Sequence, residues 1–272
     1  MPGDPMPSTR QPLIRTPPSD LDAVRRVIDQ MPARPIRPAS RATVATGRPT
    51  DPPAIEVRGL TKRFGKTTAV DGLTFTVPNG SITGFVGPNG SGKTTTIRML
   101  MHLVKPTSGT ARILGHPIDQ PALYLGQVGA LIEAPAFEPN LSATRNLLAL
   151  AQLGRTDPHR IPALLDLVGL VDAGSKRYKT YSLGMKQRLG IAAALLSDPK
   201  LLILDEPVNG LDPQGIREMR DLLQRLARQG KTVFISCHLI GELQRICTHV
   251  VVLHKGRLVH QGEVATFLAR RG

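Results

Sequence analysis

Eight consecutive residues, Gly87-Pro88-Asn89-Gly90-Ser91-Gly92-Lys93-Thr94, fit the pattern GxxxxGK[ST] and constrain this chain more than any other feature. The apolar run Ile82 to Val86 precedes them and a helical pattern from Lys93 to Leu103 follows. The segment therefore reads as strand, loop and helix, the context a phosphate-binding loop needs. Glycines let the backbone wrap an anion without Cβ clashes, and successive N–H groups at the helix start face it. Lys93 is then placed to reach β- and γ-phosphate oxygens. Thr94, followed by Thr95, offers a hydroxyl to Mg²⁺. The bland alternative is a glycine-rich strand-to-helix turn with no ligand, which the flanking pattern disfavours.

A second feature fits the same chemistry. Leu201 to Leu204 is an apolar strand that ends in Asp205-Glu206, and a buried strand of the same sheet brings its terminal acids near the phosphate loop. Asp205 is expected to hold Mg²⁺, directly or through water, and Glu206 to take a proton from an attacking water. The competing role for Glu206 is a cap on the turn that Pro207 begins.

Ile55 to Val57, Val70 to Val77 and Ser81 to Val86 read as short strands with turn chemistry such as Asn79-Gly80 between them, predicting an antiparallel β-subdomain. Beyond Gly87 strands and helices alternate: Leu201 to Leu204 and Val233 to Ile235 as buried strands, Ile216 to Leu226 as an amphipathic helix. That alternation predicts an α/β core with a mainly parallel sheet. Residues 142–170 carry clustered leucines and read as two helices within a helical insert spanning about 133–190. Val250 to Val259 reads as a hairpin around Lys255-Gly256, followed by a short helix.

Residues 1–53 hold 12 of the 24 prolines together with eight Arg, no Lys and five Asp. Such a composition cannot bury enough apolar surface to offset chain entropy, and it reads as a disordered leader. Within it Ser19 can cap a helix on which Leu21, Val24, Ile28 and Met31 share a face, either a partner-docking segment or a transient helix. The compact domain is expected over 54–272.

The net charge of +14 favours polyanions without choosing among nucleic acid, membrane surface and nucleotide. Aromatics at 3%, with no Trp, argue against a base-stacking platform. The two cysteines, Cys237 and Cys247, cannot build a disulfide framework and suit a reducing compartment. The longest apolar run, Ile191 to Leu196, is far short of a membrane span, and the N-terminus has no apolar secretory core.

Over nearly all of 54–272 these residues resemble the ATP-binding subunit of ABC transporters. Tyr181-Ser182-Leu183-Gly184-Met185-Lys186-Gln187-Arg188 is similar to that family's LSGGQ signature, with Leu183 in place of a glycine and Met185 in place of the glutamine. Asn209-Gly210-Leu211-Asp212 resembles its D-loop, Ser236-Cys237-His238 its switch histidine, and Phe64 stands where an aromatic stacks on adenine. By itself, a histidine after a strand would more often be structural; the ordered set favours function for His238.

The resemblance implies an ATPase with ATP and Mg²⁺ as ligands. It implies a head-to-tail dimer, most simply of two copies, in which Ser182 and Gly184 of one donate to the γ-phosphate held by the other. His238 would also contact that phosphate and Asp212 would link the halves. Glu133 stands where the family places a metal-ligating glutamine, with Gln127 as the alternative. That carboxylate, and the segment Phe137 to Ser142, resemble the bacitracin- and lantibiotic-type branch, which implies export of peptide antibiotics or drugs. The partner is then a separately encoded transmembrane permease, with this chain peripheral at the cytoplasmic face of the cell membrane. The rival, a soluble ATPase of the same family acting on nucleic acid or ribosomes, is encouraged by the charge. A single nucleotide domain and no sustained heptads oppose it, so no nucleic acid is expected.

Overall fold

The computed structural model describes residues 52–133, 137–238 and 246–269. The leader helix read at Leu21 to Met31 lies outside the described residues. The expected antiparallel subdomain is present, but only two of its three sequence runs belong to it: the run from Ser81 to Val86 falls in the other sheet, where Ile82–Val86 pairs parallel to both neighbours. β1 (Ile55–Phe64) pairs with β2 (Thr67–Val77) on one side and β4 (Ser108–Ile113) on the other, and β5 (His116–Pro117) extends the sheet.

The second sheet has the order β10-β9-β3-β8-β7-β6. β3 (Ile82–Val86), β6 (Val128–Leu131), β7 (Leu201–Leu204), β8 (Thr232–Cys237) and β9 (His249–His254) run parallel, and β10 (Arg257–Glu263) closes the edge antiparallel to β9. Every residue of β3, β7 and β8 is buried, as strands covered on both faces must be. Phe75 of β2 meets Phe85 of β3 and Phe234 of β8 with ring centroids 5.4 and 6.0 Å apart, so an aromatic cluster joins the two sheets.

The helices are α1 (Lys93–Leu100), α2 (Ala143–Leu153), α3 (Ile161–Leu167), α4 (Leu183–Ala194), α5 (Pro213–Arg228) and α6 (Val264–Ala269). α1 is shorter than the pattern Lys93 to Leu103 suggests, because His102 enters the left-handed region at φ 58° and Leu103 N–H donates to Arg98 O at 2.8 Å. α5 starts on Asp212, whose side chain accepts from Gly215 N–H at 2.9 Å, with Pro213 at its first position. Its buried stripe is Met219, Leu222, Leu223 and Leu226. α4 continues past the expected insert boundary at 190 to Ala194, whose carbonyl would stand 2.2 Å from a methyl group at Gly129 of β6. That close approach requires glycine.

Candidate functional site

Strand register assembles the site. Val86 is level with Cys237, and Leu204 with Ile235, so β3, β7 and β8 end along one edge of the sheet. Gly87, Asp205 and His238 follow those ends. The carboxyl edge of parallel strands is where α/β sheets hold ligands.

The loop has the shape its glycines predict. Gly90 and Gly92 take φ 78° and 101°, and a methyl group at Gly92 would stand 2.6 Å from Ala69 O. At Gly87 it would stand 2.5 Å from both Leu253 O and Ser91 Oγ. α1 starts on Gly92 with no side-chain cap, which leaves its first N–H groups without helical acceptors. Ser91 Oγ is buried and lacks a hydrogen-bond partner. Free donors around a glycine cradle fit an anion. The loop is also anchored from behind by the β9–β10 turn: Gly256 N–H donates to Ser91 O at 3.0 Å, and Asp71 N–H donates to Gly256 O at 2.9 Å.

Lys93 is 4% exposed in its side chain and donates to Gly87 O at 2.7 Å, with Nζ 3.2 Å from Glu206 Oε1. The other oxygen of Glu206 lies 2.7 Å from His238 Nδ1. The Glu206 carboxylate therefore faces Lys93 and His238; the turn after Pro207 is closed by its backbone carbonyl, which accepts from Asn209 N–H at 3.1 Å. Glu206 holds φ 50°, a conformation costing an L-residue about 1–3 kcal/mol and tolerated where surroundings fix it.

Asp205 is held by two hydroxyls. Thr94 Oγ1 donates to its Oδ2 at 2.8 Å, and Ser236 Oγ donates to its Oδ1. Ser236 also accepts Glu206 N–H at 2.9 Å, so one hydroxyl orients both acids. This role escaped the sequence reading, although a serine, fully buried in the apolar strand β8, was a signal. The oxygen donors of Thr94 and Asp205 suit a hard cation such as Mg²⁺.

The remaining sequence candidates make their contacts elsewhere. Glu133 is 62% exposed in its side chain and pairs with Arg98 of α1, a residue the sequence reading did not single out. Its place at the same sheet edge as Asp205 follows from β6: Leu131 is level with Leu204, and Asp205 N–H donates to Leu131 O at 2.8 Å. The alternative, Gln127, is at the opposite end of β6, where its carbonyl accepts from Lys200 N–H at 2.9 Å. It cannot serve Asp205's edge. Ser182 caps α4 by accepting from Met185 N–H at 3.3 Å, and both Ser182 and Leu183 face solvent. Gly184 is half-buried beside them. Phe64 is half exposed at the end of β1, with Lys62 Nζ 4.9 Å from its ring centre.

An open groove of about 810 Å³ lies between β6 and helices α2 and α4, walled by Leu125, Ile132, Phe137, Leu150, Leu153 and Leu196. Leu153 is 82% exposed there. Among the described residues, no helix is long and apolar enough to cross a membrane.

The family model for ABC transporters matches residues 70–209. The chain is 47% identical over 210 residues to the bacitracin transport ATP-binding protein BcrA of Bacillus licheniformis, covering 76% of this chain and 69% of that one. It is 36% identical over 209 residues to the lantibiotic transport ATP-binding protein SrtF of Streptococcus pyogenes, covering 77% and 90%. Among solved structures, cbiO1 from Clostridium perfringens, part of an ABC transporter complex, superposes with TM-score 0.72 at 27% identity, covering 82% of this chain and 92% of that one.

Proposed function

We propose, for a chain that belongs to the ABC transporter family and hydrolyses ATP, that Lys93, Asp205, Glu206 and His238 carry the hydrolysis and that its energy drives export of a peptide antibiotic or similar drug. The convergence of Lys93 and His238 on Glu206, beside an Asp205 fixed by Thr94 and Ser236, carries this reading. The cargo reading is supported by the two relatives, named for transport of bacitracin and of a lantibiotic.

ATP would place its phosphates against the N–H groups of residues 90–95. Lys93 would then give up Gly87 O for phosphate oxygens, exchanging a neutral acceptor for an anionic one. Thr94 and Asp205 would hold Mg²⁺, which when bound neutralises charge on the phosphates. Glu206 would accept the proton of a water attacking the γ-phosphorus as the bond to the β-phosphate oxygen breaks, and His238 would orient that carboxylate. Phe64 offers an exposed ring for the base.

Ser182 is exposed at the start of α4, open to a nucleotide held by a second copy, which supports a head-to-tail pair. Ser182 can accept from Met185 N–H and still donate its hydroxyl to a phosphate. The permease would seat an apolar segment in the groove at Leu150 and Leu153, holding the subunit at the cytoplasmic face. The test is purification of the chain with its permease, with MgATPase activity and drug resistance measured together. Leu153→Asp should abolish co-purification while the chain remains folded. An assembled complex that hydrolyses ATP but confers no resistance to any peptide antibiotic or drug overturns the cargo assignment.

A further inference from the structure

The start of α4 and the turn before α5 lie close together at two leucines and two glycines. Leu183, the first residue of α4, lies over Gly210: a methyl group at Gly210 would stand 3.0 Å from Leu183 Cδ2. In the reverse direction a methyl group at Gly184 would stand 3.7 Å from Leu211 Cδ2. Gly210 takes φ 74°, so its backbone demands glycine, and Leu183 lies directly above it. Further along, Arg188 of α4 lies 3.3 Å from Glu218 of α5, a second tie between the same helices.

Each helix also begins on its own cap, Ser182 accepting from Met185 N–H and Asp212 from Gly215 N–H. The two caps thus belong to segments that meet at Leu183 and Gly210 and are tied again by Arg188 and Glu218. Leu183 is 47% exposed despite that contact. A glycine there would leave Gly210 uncovered, and the first turn of α4 would be free to shift against the turn before α5.

We propose that Leu183 is a positioning residue that locks the Ser182 end of α4 to the Asn209–Asp212 turn, so that both meet a nucleotide held by a second copy as one rigid unit. The inference rests on the head-to-tail reading above. It explains why a bulky residue stands at the first position after Ser182: its side chain supplies contact with Gly210 that fixes the angle of the helix start. Leu183 acts through Ser182 and does not itself touch the nucleotide bound by its own phosphate loop.

The experiment uses the full chain carrying Glu206→Gln, with MgATP-dependent dimerisation followed by light scattering and MgADP binding by calorimetry. Leu183→Gly and Leu183→Ala should each raise the MgATP concentration for half-dimerisation about tenfold, the effect of losing one well-packed contact. MgADP affinity should stay within about twofold, because the chain's own phosphate loop is unchanged. Leu183→Met, which keeps length and apolar character, should restore dimerisation. If the Glu206→Gln parent dimerises and the Leu183→Gly chain dimerises equally well, the role of Leu183 is overturned alone. If the parent stays monomeric at saturating MgATP, the head-to-tail reading falls and takes this inference with it.

Discussion

Lys93 Nζ stands 3.2 Å from Glu206 Oε1 at a site where the lysine side chain is 4% exposed. The same ammonium donates to Gly87 O, so one buried cation links the glycine loop to Glu206, the proposed general base. Lys93→Ala is expected to weaken MgATP binding at least about tenfold and to abolish turnover. Glu206→Gln should keep ATP affinity and slow hydrolysis about 10²-fold or more. Calorimetry and phosphate release on the assembled complex check both, and near-normal turnover in Lys93→Ala sinks the assignment.

Ser236 gives the second prediction. Its hydroxyl donates to Asp205 and accepts from Glu206 N–H, and the residue is fully buried. Ser236→Ala strands that backbone N–H, at a cost of about 1–3 kcal/mol, and frees the Asp205 carboxylate to rotate. A lowered Tm and a rise in the Mg²⁺ concentration needed for half-maximal activity are expected together. A variant with unchanged Mg²⁺ dependence would falsify the orienting role.

Arg98 and Glu133 form an exposed pair, worth at most about 1 kcal/mol to stability. Breaking it should leave Tm nearly unchanged. Arg98 supplies the counter-ion for a carboxylate positioned two residues beyond the end of β6. Glu133→Gln is expected to retain substantial ATPase activity, whereas Glu133→Ala should lose hydrolysis and transport together. If Glu133→Ala matches wild type in both assays, the residue is a surface carboxylate, and Gln127 cannot replace it because it lies at the far end of β6.

Asp198 provides a pH test away from the nucleotide. Lys231 Nζ, 2.8 Å away, and then Arg160, 3.0 Å away, hold its carboxyl below the ordinary carboxylate value. A depressed folded value stabilises the fold above the unfolded pKa of 3.8, and the contribution disappears as pH falls through the folded value. Asp198→Asn, which tolerates the φ of 52° found there, should lower Tm at neutral pH and flatten the decline of Tm below pH 3.8. Parallel melting curves at all pH values would remove Asp198 from the acid response.

The strand-loop-helix around Gly87 to Thr94 and the acids after β7 were legible because their function demands fixed residue types in consecutive order. β6 was not, since Val128-Gly129-Ala130-Leu131 is too short and small-sided to show a strand period, and only its neighbours β7 and α4 define it. β4 is likewise partly polar along Ser108-Gly109-Thr110 and owes its place to pairing with β1. Ser236 and Arg98 act through partners at 205, 206 and 133, and such distant pairings leave no local pattern. The sequence showed Lys255-Gly256 as a hairpin turn without showing that Ser91 lies beneath it.

The bond from Gly256 N–H to Ser91 O joins residues 165 positions apart, counted from 91 to 256. During synthesis the phosphate loop leaves the ribosome long before the turn that supports it, at about 5–20 residues per second. The loop therefore waits roughly 8–33 s for the part of its backing that β9 and β10 supply. An emerging polypeptide that stops short of residue 256 carries the whole GxxxxGKT sequence without the turn that anchors it from behind.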